Sequence, residues 1–252
     1  MKACSRSMSS RAKSRRGFTL IELIVVLMIL VGLAGMIVPA VADMVARTHT
    51  ATAARNISEV ANAVARYEVQ YLSYPTRLDS LSDNATLAAA GTWDQAPEGV
   101  TATVTLTADT ADALANAGVN SLAVHTDGQD SATFTQSATF VTPADTNVVY
   151  GLTVAQQQSF GLEATGVAGK YVVFGVGGQN TAIGKTMTTA PVHFPESAAE
   201  NLNTSYGRFL AVFQITDGTD ALERAKLVAV YAPEGASQGD ELAEYFEIVS
   251  DR

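Results

Sequence analysis

The chain holds one cysteine, Cys4, in 252 residues. That excludes an intramolecular disulfide, a cysteine-rich zinc site and a CxxC redox pair. Charge is also scarce, at 16% of residues, and bases are outnumbered 16 to 25. An acidic chain of this kind is a poor nucleic-acid binder, because phosphate contacts need clustered Lys and Arg. From Leu78 to Gly169 there is no Lys or Arg at all. The histidines, His49, His125 and His193, show no HExxH or paired-ligand spacing, so each reads as a surface or hydrogen-bonded side chain. No GxSxG elbow occurs, so nucleophilic catalysis has no local signature. The residues predict no enzyme. Apolar residues are plentiful, at 47%, too many for a disordered chain.

The charges are unevenly placed. Residues 1–17 carry Lys2, Arg6, Arg11, Lys13, Arg15 and Arg16 and no acid. An apolar segment, Phe18 to Ala42, follows with Glu22 as its one charge. As a helix it would span roughly 37 Å, enough to cross a hydrocarbon core of about 30 Å. The bases before it should stay cytoplasmic and the acidic body should lie on the far side. The apolar run is longer than a signal-peptide core. A carboxylate within its first turns is costly in lipid, so a partner is expected for Glu22.

Arg15-Arg16-Gly17-Phe18-Thr19-Leu20-Ile21-Glu22-Leu23 resembles the prepilin cleavage and methylation motif of type IV pilins and type II secretion pseudopilins. The resemblance implies a prepilin peptidase that cuts between Gly17 and Phe18 and then N-methylates Phe18. It also implies that the apolar segment stays on the mature protein. In such filaments Glu22 would pair with the Phe18 amine of a neighbouring subunit. The partners implied are the peptidase, copies of this chain, other pilins or pseudopilins, and an assembly platform in the inner membrane. The implied location is the inner membrane, with the N-terminus cytoplasmic and the body periplasmic, and then a periplasmic pseudopilus or a cell-surface filament. Gly17 lets an extended backbone enter a protease site closely. Gly32, Gly35 and Pro39 lower helix propensity in the second half of the segment, and filament helices of the family often loosen there.

Residues 43–76 turn amphipathic. Ile57, Val60, Ala61, Val64, Tyr67 and Tyr71 form a helical stripe that should face a sheet. Tyr74-Pro75-Thr76 should stop the helix, since the residue before proline avoids helical geometry. Tyr67 followed by Tyr74-Pro75-Thr76 resembles the same place in the major pseudopilin of type II secretion. Residues 77–252 read as β-rich and exceed that family's compact body. Strands are predicted over Val100–Thr107, Ser121–His125, Ala132–Val141, Asn147–Val154, Lys170–Val176, Arg208–Thr216 and Lys226–Tyr231. Short helices are predicted over Asp109–Ala117 and Asp240–Ile248. The fold class expected is α+β and pilin-like: a long N-terminal helix on an antiparallel sheet, with an extra β-rich region.

Two further features invite a chemical reading. Gly178 to Gly184-Lys185-Thr186 looks like a phosphate loop, but five residues separate the glycines where four are required. A glycine-rich loop is expected instead. Asp127–Asp130 and Asp217–Asp220 each place two carboxylates on an Asp-Gly turn. They are weak candidates for a metal, since calcium needs six to eight oxygens, and the tight-turn reading is preferred for both. No cofactor is predicted, with room left for a structural calcium of the kind major pseudopilins hold. Taken together, the residues predict a filament subunit, most like a type II secretion pseudopilin. The alternatives are a type IV pilus subunit with an adhesive body, or a membrane-anchored periplasmic binding protein or enzyme.

Overall fold

The computed structural model describes residues 19–82, 84, 86–89, 102–124, 139–163, 169–193 and 206–250. The chain divides into two units, Met1–Val45 and Ala46–Arg252.

In the first unit the described residues belong almost wholly to α1, which runs Leu20–Tyr71 and continues into the second. Its stretch Leu20–Val38 is long and apolar enough to cross a membrane, and every side chain in it is exposed. A water-soluble helix would bury such a face. The helix is continuous through Gly32, Gly35 and Pro39.

The second unit is α+β. Its strands are β1 (Leu78–Asp79), β2 (Ala102–Thr105), β3 (Leu122–Ala123), β4 (Phe140–Val141), β5 (Val148–Gly151), β6 (Tyr171–Gly175), β7 (Leu210–Thr216) and β8 (Ala221–Tyr231). The further helices are α2 (Ala108–Ala117), α3 (Val154–Ser159) and α4 (Gln238–Ser250). Strand β6 is the hub of the sheet. One of its edges pairs with β7, while the other is shared between β5, through Gly151 and Val172, and β1, through Asp79 and Gly175.

Strands β6 and β7 are apolar at nearly every position because both faces of the sheet are covered. Their alternate residues divide between two clusters. Val172, Phe174, Ala211, Phe213 and Ile215 join Ile57, Val60 and Val64 of α1 and Leu114 of α2. Tyr171, Val173, Leu210 and Val212 join Leu81, Leu152, Tyr206 and Tyr231. The helical stripe read from the sequence is thus the buried face of α1, except that Ala61 is only partly buried and Tyr71 at its end is exposed.

The expected strands appear, with corrections. The sheet is mixed rather than antiparallel, because β1 pairs with β3 in parallel. β8 begins at Ala221 rather than Lys226, since the β7–β8 hairpin continues past two register shifts that let it bend without ending. β5 stops at Gly151. Val154 opens α3 instead of closing that strand, because Thr153 and Gln156 form a capping box that starts a helix. α2 is capped by Thr107 and closed by Gly118 in the left-handed region, φ 96°. Of the predicted strand Ala132–Val141, positions 132–138 lie outside the described residues, as do Val100 at the head of another strand and His125 at the tail of a third.

Candidate functional site

Gly17 and Phe18 lie outside the described residues. Immediately after them, Thr19 and Glu22 form a reciprocal pair. The Thr19 backbone N–H donates to Glu22 Oε2 at 2.8 Å and the Thr19 hydroxyl donates to the same oxygen at 2.9 Å. The Glu22 N–H approaches Thr19 Oγ1 at 3.4 Å. This is a capping box at the start of α1. It serves backbone donors that the first turn of a helix leaves without intrahelical partners. The Thr-x-x-Glu spacing that signals it stands in the sequence, and the reading of Glu22 as a pairing charge passed over it.

The glycine-rich segment after β6 docks on the C-terminal end of α1. Thr181 Oγ1 accepts from the Thr76 N–H at 3.0 Å and from the Tyr67 hydroxyl at 3.1 Å. Lys185 Nζ donates to Tyr67 Oη at 3.2 Å and lies 4.4 Å from the centre of the Tyr71 ring. The lysine that a phosphate loop would turn toward a nucleotide is here held on aromatic faces.

Asp217 and Asp220 fall in the β7–β8 turn. Asp217 Oδ1 accepts from the backbone N–H groups of Thr219 and Asp220, each at 2.8 Å. Those bonds hold Asp217's carboxyl below its ordinary range. Asp127 and Asp130 lie outside the described residues.

The structure brings together a cluster that sequence spacing does not reveal. His193 follows the bridge between Val192 and Arg208, and its N–H donates to the Gly207 carbonyl at 2.9 Å. Glu234 lies in the turn after β8, and Glu241 lies in the first turns of α4. His193 Nε2 is 3.0 Å from Glu234 Oε1 and 3.8 Å from Glu241 Oε1. His193 and Glu241 are buried, while Glu234 is partly exposed. Burial alone would favour a neutral imidazole. The hydrogen bond and charge of Glu234, joined by the nearby Glu241 carboxyl, outweigh it and lift the His193 pKa to about 9. Burial pushes the Glu241 carboxyl upward, with His193 opposing. Glu241 Oε1 is shielded from solvent and makes no hydrogen bond among the described residues. Beside His193 is a cavity of about 210 Å³ lined also by His49, Thr52, Ala53, Asn56 and Val192.

Residues 12–38 match the family described as the prokaryotic N-terminal methylation motif. That match spans the end of the basic leader, the Gly17–Phe18 junction, Glu22 and the apolar helix through Val38. No curated protein and no solved structure matches the chain. The apolar stretch Leu20–Val38 lies wholly within the matched residues. The motif supports placing this chain among the type IV pilin-like proteins, whose motif-bearing members are structural subunits.

Proposed function

We propose that this protein is the structural subunit of a helical filament, of the type II secretion pseudopilin kind, made by prepilin peptidase cleavage between Gly17 and Phe18 and methylation of Phe18. One observation carries the proposal. The methylation motif at residues 12–38 sits on the boundary between a basic leader and an apolar helix with every side chain exposed from Leu20 to Val38. Such a helix is stable only in lipid or against other apolar helices. A filament core built from copies of this helix supplies the second environment after the membrane has supplied the first. There Glu22 would neutralise the Phe18 amine of a neighbour, fixing the axial register, since an unpaired charge in an apolar core is strongly unfavourable.

The size of the body favours a second reading, a subunit of a surface pilus whose additional β-rich region carries adhesion. Electron microscopy of filaments sheared from cells and labelled for this protein tests both. Filaments confined to the periplasm and lost with the outer-membrane secretin support the secretion reading. Surface fibres that lengthen when a retraction ATPase is deleted support the pilus. Protein found only as dispersed membrane monomers would end both.

A further inference from the structure

Helix α4 is anchored in an unusual way. Among its residues 238–247, the one fully buried side chain is that of Glu241, while Leu242 and Phe246 are exposed. An amphipathic helix is ordinarily held by apolar side chains. Here the inserted group is a carboxyl, one oxygen of which makes no hydrogen bond among the described residues. A buried carboxylate is expensive unless a compensating charge and polar contacts meet it.

A divalent cation with a neutral imidazole and the two carboxylates would form a charge-neutral set. The geometry is close to what such an ion needs. One ligand atom from each of His193, Glu234 and Glu241 lies within 4.8 Å of the other two. Ligands about 2.0–2.2 Å from a tetrahedral ion stand roughly 3.3–3.6 Å apart. The 3.0 Å and 3.8 Å separations from His193 Nε2 straddle that range. Glu234, partly exposed in a turn, has the freedom to adjust.

We propose that His193, Glu234 and Glu241 bind a divalent transition-metal ion, with zinc the best match, and that this ion clasps α4 to the β-sheet body. The donor set decides the class of metal. One imidazole nitrogen with two carboxylates suits a borderline ion of low coordination number. Calcium requires six to eight oxygens and has no use for the imidazole. The three ligands come from three separate segments: the bridge strand before β7, the turn after β8, and α4. The ion therefore joins three segments, on one of which, α4, the apolar Leu242 and Phe246 are exposed. A fourth position remains for water.

The test uses the full-length, untagged chain in detergent, carrying Cys4→Ser to remove the only thiol, and stripped with a chelator. Titration calorimetry with zinc chloride near neutral pH should show one equivalent bound per chain, with a higher melting temperature. His193→Ala and Glu241→Gln should each weaken binding at least about tenfold, the scale on which even outer-shell changes weaken metal sites. Glu234→Gln, at a partly exposed position that tolerates substitution, should do the same without unfolding the body. Excess calcium should not displace the zinc. X-ray absorption of the zinc-loaded wild type should show nitrogen and oxygen neighbours with an imidazole signature. No saturable binding, binding unchanged in His193→Ala and Glu234→Gln, displacement by calcium, or a spectrum without imidazole would each overturn the proposal.

Discussion

Tyr206 donates its phenolic hydrogen to Asp79 Oδ2 at 2.7 Å, joining two buried residues 127 positions apart. The pair sits where β1 meets β6, and the sequence around it is fitted to make room. A side chain at Gly175 would collide with the Tyr206 hydroxyl, and one at Gly177 would collide with the Asp79 carboxyl. Burial, then the Asp79 carboxyl, pushes the Tyr206 phenol well above its ordinary range, so it remains a donor at physiological pH. Gly177, directly before the glycine that opens the look-alike phosphate loop, therefore has its place set by a buried hydrogen bond.

Tyr206→Phe keeps the ring and removes the donor. We expect a loss of about 1–3 kcal/mol, the cost of removing one partner of a buried hydrogen bond. Equilibrium denaturation of the wild type and the variant measures it. Equal midpoints would show that the bond contributes nothing net.

The β7–β8 turn should carry an acid-dependent share of stability. Backbone N–H groups of Thr219, then Asp220, lower the Asp217 pKa from its ordinary 3.8. The folded state thus favours the carboxylate. Its stabilisation is complete above that ordinary value and is lost as pH falls through the lower, folded value. Asp217→Ala should be less stable than wild type near neutral pH, and the difference should vanish in strong acid. Melting temperatures across a pH series check this. A gap that persists in strong acid would mean that the turn rests on packing instead.

A chain beginning at Ala46 should fold and remain a soluble monomer. It keeps Ile57, Val60, Val64 and Tyr67, which are buried in the body, and loses the exposed apolar stretch Leu20–Val38. Size-exclusion chromatography with light scattering reads the outcome. Aggregation would mean that residues before Ala46 complete the body's core.

Glu22 has two roles to separate. It caps α1 through Thr19, and in the proposed filament it pairs with the Phe18 amine of a neighbour. Glu22→Leu ends both. Glu22→Gln keeps the capping box, which accepts Gln as readily as Glu, and removes only the charge. Both variants should insert into the membrane and be cleaved normally, and both should yield far fewer filaments in the sheared fraction. Wild-type yield from Glu22→Gln would assign Glu22 to the cap alone.

What was legible in the sequence follows the range of each signal. The stripe Ile57–Val60–Val64–Tyr67 repeats at a helical period, so the buried face of α1 could be read directly, while the helix ends at Tyr71, before the proline signal at Tyr74-Pro75. Leu72 already turns left-handed there, φ 56°. α3 was missed because Val154 prolongs an apolar β-like run, although the Thr153–Gln156 box marks a helix start. The two-residue strand β1 leaves no period to detect, and its parallel pairing with β3 has no local signal, although β3 itself falls within the predicted strand Ser121–His125. The cluster of His193, Glu234 and Glu241 has no sequence signature, because three segments must fold before their side chains meet.

The central claim is that this chain is cut and methylated at Phe18 and then serves as a filament subunit. Intact-mass and N-terminal peptide mass spectrometry of the protein recovered from its native membrane tests the first half directly. The account predicts a single mature chain whose first residue is N-methyl-Phe18, with residues 1–17 gone and the apolar helix retained. A chain that keeps its leader, or starts anywhere other than Phe18, would contradict it.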